Sequence, residues 1–264
     1  LKGQERYPLV LMLEPLFRCN LECIGCGKIQ KPTEILNKNL TPDQCLDAAN
    51  ECDAPVVSIA GGEPLMHPQI IEIVEGLIKQ KRYIYLCTNA LLLNNFFGKL
   101  PISPYLTLSI HLDGLEDDHD RIVDKKGVFK IAVESVREAK KMGYRVTSAT
   151  TFFEGTTVEQ AETFLDFLNP LGLDGVTLSS AFRYPDAPDQ DHFFGRKRTQ
   201  EFFKELLGKN KKGRWDISHS PLYLEFLQGR RDYECTPWGN PNYSVKTQCY
   251  NCPAGYFASG HKSV

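Results

Sequence analysis

Several things that mark large classes of protein are missing from this chain. No uninterrupted apolar run approaches the roughly 20 residues that a membrane-spanning helix needs, so a bilayer-spanning protein is not expected. The opening LKGQERYPLV lacks the layout of a secretory signal, which leaves a cytoplasmic location as the expectation. Neither sign of charge dominates: 31 Lys and Arg stand against 33 Asp and Glu, a net charge of −2. Nucleic-acid binders neutralise phosphates with clustered basic residues, so nucleic acid is not an expected partner. Internal repeats beyond a strand-helix alternation, and low-complexity tracts, are also absent. What remains, at 264 residues and 42% hydrophobic, is enough material for one large α/β core.

Cysteine is the departure from the ordinary. The nine are Cys19, Cys23, Cys26, Cys45, Cys52, Cys87, Cys235, Cys249 and Cys252, an odd count that fits a disulfide framework poorly. Their clustering in one early segment and again in the tail points to metal ligation, with the isolated ones readable as small buried hydrophobes.

β-Branched runs that end in Gly, Asn or Asp alternate with amphipathic stretches of helical spacing, the pattern of βα units. Strands are expected at Leu9–Leu13, Val56–Ala60, Tyr83–Thr88, Tyr105–Leu112, Arg145–Thr151 and Gly175–Ser179. Helices are expected at Pro42–Cys52, Pro68–Lys81, Leu91–Lys99, Val128–Met142, Thr157–Leu168 and Thr199–Leu207. A closed eight-unit barrel takes about 250 residues, whereas six units are complete here near residue 208. The fold class expected is therefore α/β, a partial (βα)6 barrel over 1–208 with a small irregular C-terminal cap over 209–264. Within that cap, a short strand at Arg214–Ile217 and a helix at Pro221–Gln228 are expected.

The strongest chemical signal is Cys19-x3-Cys23-x2-Cys26, directly after the first strand. Three thiolates from one loop can hold three irons of a [4Fe–4S] cube and leave the fourth without a protein ligand, which is an open site for chemistry. A structural zinc site is normally closed by a fourth ligand at short spacing, and none follows here. Gly61-Gly62-Glu63-Pro64 ends the second strand, Thr88-Asn89 the third, and Ser109, His111 and Asp113 alternate along the fourth. By itself Gly61–Pro64 reads equally well as an ordinary turn, and His111 as a packed histidine.

Taken together, these segments resemble the radical S-adenosylmethionine (SAM) superfamily. The resemblance implies a [4Fe–4S] cluster on Cys19, Cys23 and Cys26 and a bound SAM. It also implies contacts to SAM from Gly61, Gly62, Glu63 and Pro64, with Glu63 anchoring the ammonium, and from Asn89, Ser109, His111 and Asp113. An electron donor such as a flavodoxin or ferredoxin would be the partner.

Longer stretches, including Tyr7–Leu21, Tyr85–Leu93, Ala187–Gln190 and Cys235–Pro241, are similar to the adenosylhopane synthase family of bacterial hopanoid biosynthesis. That similarity implies addition of the 5′-deoxyadenosyl radical to the alkene of diploptene, with Cys87 as the hydrogen donor that quenches the product radical. It also implies contact with the periphery of the inner membrane, where such a hydrocarbon resides. A C30 hydrocarbon draws its binding energy mainly from buried apolar surface, at about 25 cal/mol per Å2. Phe96-Phe97, Phe152-Phe153 and Phe193-Phe194 are the candidate walls, each equally readable as packing, while Phe202-Phe203 reads as core. Tyr184–His192 is read as either a roof over the site or a solvated loop. Cys235, Cys249 and Cys252 form a weaker candidate for a second metal site. Hydrogen abstraction from a peptide or small metabolite, and a non-enzymatic iron–sulfur electron carrier, are the competing functions.

Overall fold

Seven parallel strands form a single sheet in the order β6-β5-β4-β3-β2-β1-β7 in the computed structural model, which describes residues 7–233 and 239–246. The six expected strands are present within a residue or two of their anticipated ends: β1 (Val10–Glu14), β2 (Val56–Ile59), β3 (Tyr83–Thr88), β4 (Leu106–His111), β5 (Arg145–Phe152) and β6 (Val176–Ser180). The helices between and after them are α1 (Thr33–Leu36), α2 (Pro42–Cys52), α3 (Ile70–Lys79), α4 (Glu116–Ile122), α5 (Val128–Met142), α6 (Val158–Leu168), α7 (Arg196–Lys209) and α8 (Pro221–Leu227). The sheet is the partial barrel that the βα alternation implies.

Helix starts are specified locally. At α2 the Thr41 hydroxyl accepts from the Gln44 N–H (3.2 Å) while the Gln44 side chain accepts from the Thr41 N–H (2.9 Å), and Thr157 with Gln160 repeats the arrangement at α6. The helices bury the outward side chains of the strands: Leu11, Leu13, Val57, Ile59, Leu86, Leu108, Ile110 and Val146 are all fully buried in one core.

Three expectations fail, each for a physical reason. The stretch expected as a helix at Leu91–Lys99 forms only a 3₁₀ turn at Leu93–Asn95. Asn94 and Asn95 are poor helix formers, and Gly98 sits at a φ of +76°, which a continuing helix cannot accommodate. The expected strand at Arg214–Ile217 makes a single bridge, Ile217 to Val176, and covers the exposed edge of β6 instead of extending the sheet. The tail, in contrast, supplies a strand that periodicity missed: β7 (Asn242–Ser244) pairs with β1, Met12 opposite Asn242 and Glu14 opposite Ser244. Three residues are too few to show a period.

Candidate active site

Because every strand is parallel, all the carboxyl ends lie on one rim, and the residues singled out from the sequence gather there. The loop after β1 carries Cys19, Cys23 and Cys26, all half-buried. Its shape is imposed from the loop after β2. The Gly62 N–H donates to the Leu16 carbonyl (3.1 Å) and the Glu63 N–H to the Arg18 carbonyl (2.8 Å). A Cβ on Gly62 would lie 1.9 Å from the Arg18 carbonyl oxygen, and one on Gly61, whose φ is +111°, 2.2 Å from that of Leu16. The paired glycines are thus explained by the backbone leading into the cysteine loop, an approach that no side chain permits.

Glu63 is almost wholly buried at 1% exposure and accepts three hydrogen bonds: from the Leu65 N–H (3.0 Å), the Thr88 hydroxyl (2.8 Å) and the Asn89 N–H (2.8 Å). Burial raises its pKa against the pull of these donors. Asn89 turns its amide to the cysteine loop, donating to Asn20 Oδ1 at 2.7 Å with Cys19 Sγ 3.8 Å away. Pro64 opens a buried 3₁₀ turn, Pro64–Met66, whose first N–H, that of Leu65, Glu63 caps. The second, third and first strand ends are therefore one hydrogen-bonded unit. Asn20 belongs to it as much as the residues singled out from the sequence; only its adjacency to Cys19 hinted at it.

Cys87 lies on the inner face, in register with Ser109, and its Sγ is 3.5 Å from Ser58 Oγ. Burial raises the thiol pKa, which keeps the S–H intact. Two residues along β4, His111 Nε2 meets Asp113 Oδ2 in a short ion-pair contact. Burial alone would lower the His111 pKa, but the Asp113 carboxylate outweighs it and the net shift is upward. Asp113 is buried behind the histidine and not turned to the cleft, since its other oxygen accepts from the Thr151 N–H at 2.7 Å.

The aromatic pairs pack instead of lining a cavity. Phe152 and Phe194 join Phe202 and Phe203 in the main core, Phe96 and Phe97 lie against it, and Phe153 and Phe193 belong to a smaller cluster with Ile122 and Ala181. Cys45 is fully buried in the core on α2, where burial pushes its thiol up to about 12, and Cys52, at the end of the same helix, is buried in the same core. Both behave as the small hydrophobes first supposed. Cys235, Cys249 and Cys252 fall outside the described residues.

The cysteine loop fits a polynuclear iron cluster. Burial first, then Glu63 and Cys26, raise the Cys19 thiol to about 11; burial, then Cys26 and Cys19, raise Cys23 as well. The Cys19 and Cys23 thiols, within electrostatic reach of each other and of Glu63 and Asp113, are favoured as thiolates by bound cations. Among the described residues no three or more His, Cys, Asp or Glu groups converge on a single ion, whereas a cube spreads its thiolates over separate irons.

Comparison with known proteins agrees. The model of the radical SAM superfamily matches residues 13–168, more than half of the chain, and a domain of unknown function (DUF3463) matches 176–262. A probable GTP 3′,8-cyclase of Methanococcus maripaludis strain C7 is 22% identical over 221 residues, 80% of this chain and 73% of the relative. Mycofactocin maturase MftC of Mycolicibacterium smegmatis is 27% identical over 165 residues, 60% of this chain and 41% of the maturase. Among solved structures, Streptococcus suis SuiB bound to S-adenosylmethionine shares the fold with a TM-score of 0.75 at 14% identity, covering 97% of this chain and 63% of SuiB. The chain thus spans less than half of the maturase and less than two thirds of SuiB. These relatives do not carry the finer likeness to adenosylhopane synthases. Among the described residues no helix is long and apolar enough to cross a membrane. The chain belongs to the radical SAM superfamily, whose cofactors are a [4Fe–4S] cluster and S-adenosylmethionine.

Proposed function

We propose that this chain adds the 5′-deoxyadenosyl group to the alkene of diploptene, forming adenosylhopane, with Cys87 as hydrogen donor. The observation that carries the reading is the Cys87 side chain on the inner face at the carboxyl end of β3, between Ser58 and Ser109. The bound cluster and SAM together supply the 5′-deoxyadenosyl radical. Cys19, Cys23 and Cys26 would hold the cluster. Glu63, held in place by its three donors, receives the SAM ammonium; Gly61, Gly62, Pro64 and Asn89 fix its setting. Ser109 and His111 face the cleft from β4, and Asp113 orients His111. When the new C–C bond forms, the unpaired electron moves to a tertiary carbon of the substrate. Cys87 then breaks its S–H bond and a C–H bond forms; one electron and one proton, the electron from a donor of the flavodoxin or ferredoxin class, return the sulfur to the thiol. A membrane-soluble hydrocarbon makes peripheral contact with the inner membrane part of the same proposal.

A second reading has its own support. Several inner-face positions in register across β3 to β6 are small and mostly polar, Cys87, Ser109 and Thr147 in one row and Thr151 with Ser179 in another. That lining suits hydrogen abstraction from a polar metabolite or peptide. Anaerobic reconstitution with SAM, a strong reductant and diploptene, followed by mass analysis, separates the two. A covalent adenosyl adduct supports addition; free 5′-deoxyadenosine with no adduct favours abstraction, and no SAM cleavage at all favours an electron carrier. Cys87→Ala should retain SAM cleavage and lose the saturated adduct, and undiminished saturated adduct removes Cys87 from the mechanism.

A further inference from the structure

We propose that Tyr184 is a positioning residue for the cluster, a latch that holds the backbone on both sides of Cys26 from across the barrel mouth. Its hydroxyl accepts from the Gly27 N–H at 2.6 Å and donates to the Gly25 carbonyl at 2.7 Å, so one oxygen spans the residues before and after the third cysteine. Tyr184 follows β6, the last strand at one edge of the sheet, while Cys26 follows β1, five strands away. The contact therefore joins two loops that the sheet holds apart.

The same contact explains why the third cysteine is flanked by glycines. Gly25 has a φ of +71°, and a Cβ there would lie 2.7 Å from the Phe193 ring; a Cβ on Gly27 would lie 2.4 Å from the Asp186 carbonyl oxygen. Phe193 in turn packs edge-on against the Tyr184 ring, with centroids 6.1 Å apart. The loop after β6 thus presses on the cysteine loop at Gly25, at Gly27 and through the phenol between them. A neighbouring ion pair, Lys31 with Asp186 at 2.6 Å, joins the same two loops but leaves its carboxylate more than half exposed, where such pairs contribute little.

A thiolate ligand stays on its iron when the peptide on either side cannot swing away, and the latch removes that freedom at Cys26 alone. The proposal rests on Cys26 as a cluster ligand and is independent of the substrate. The test compares wild type, Tyr184→Phe and Lys31→Met, each reconstituted anaerobically. Iron content, iron release to a chelator and the reduction potential of the cluster are measured. Tyr184→Phe keeps the ring against Phe193 and should fold and load iron, yet release it about tenfold faster with a shifted potential, as expected for two lost hydrogen bonds. Lys31→Met should match wild type. Release and potential unchanged in Tyr184→Phe overturn the proposal. So does equal acceleration in both variants, which would assign the effect to loop docking in general, and so does a Tyr184→Phe chain that fails to fold. A wild-type chain that assembles no cluster overturns the assignment of Cys26 itself, a separate and distinguishable failure.

Discussion

The two faces of this sheet are built from alternate residues of the same strands, and they do opposite work. On β4, Leu106, Leu108 and Ile110 point outward into a core shared with the helices, while Thr107, Ser109 and His111 point inward. On β4 to β6 the outward residues are mostly large and apolar, with Ser148 and Thr150 as buried polar exceptions, and the inward ones are small or polar. Stability therefore resides on one face and chemistry on the other, so the inner face can carry a thiol, a histidine and several hydroxyls without loss of the core. The carboxyl rim is where the two meet: Glu63 and Asp113 are as buried as the core yet carry polar carboxyl groups, and their oxygens are met by fixed donors.

The sharpest way to break this division is to truncate the outer face. Leu108→Ala empties a fully buried position flanked by Leu86 and Val146 and should cost about 2–5 kcal/mol, read as a lower urea midpoint. A cost below about 1 kcal/mol would deny that the outer face carries the core.

A smaller effect is expected at the rim. His119 on α4 is buried, and burial, then the His111 charge, lower its pKa to about 4. Its neutral form is the folded one, so the unfolded chain binds the extra proton between about 6.5 and 4. Stability is present above that window and lost as pH falls through it, on the order of 3 kcal/mol. His119→Asn, which can still accept from the Asp113 N–H, should flatten the profile of the iron-free chain; an unchanged profile would assign the acid loss elsewhere. His111 shifts the opposite way, so its contribution is present below its unfolded value and fades as pH rises through the raised one.

The smallest change is expected on the inner face. Thr147 is buried in register with Ser109, and its hydroxyl has no partner among the described residues. Thr147→Val should alter stability by less than about 1 kcal/mol and toward stabilisation, because it removes an unpaired buried polar group without changing shape. A loss comparable to that of Leu108→Ala would erase the distinction between the faces.

Much of this was legible residue by residue. Helix α2 was readable because Thr41-Pro42-Asp43 carries its own start signal, and β3 because Tyr83–Thr88 alternates over six residues. The helix expected after β3 failed because Gly98 and two asparagines outweigh the apolar pattern around them. Strand β7 was illegible because its pairing with β1 is decided some 230 residues away in sequence, as the bond from Asn242 to the buried Glu14 shows. Of the site, the cysteines and Gly61–Pro64 stood out by spacing. Asn20 and Ser58 did not, because hydroxyls and amides occur everywhere and acquire a role only from the atoms brought opposite them.

The sequence by itself determined the βα alternation, the three-cysteine loop and the order of motifs along the chain, since each depends on neighbours a few residues apart. Only the tertiary structure decided that the glycines of Gly61-Gly62 serve the backbone before Cys19, that Asp113 serves His111, and that Tyr184 reaches the residues on either side of Cys26. Those contacts join strand ends that the sheet, and not the chain, makes adjacent, and no local pattern encodes which carbonyl a distant hydroxyl will meet.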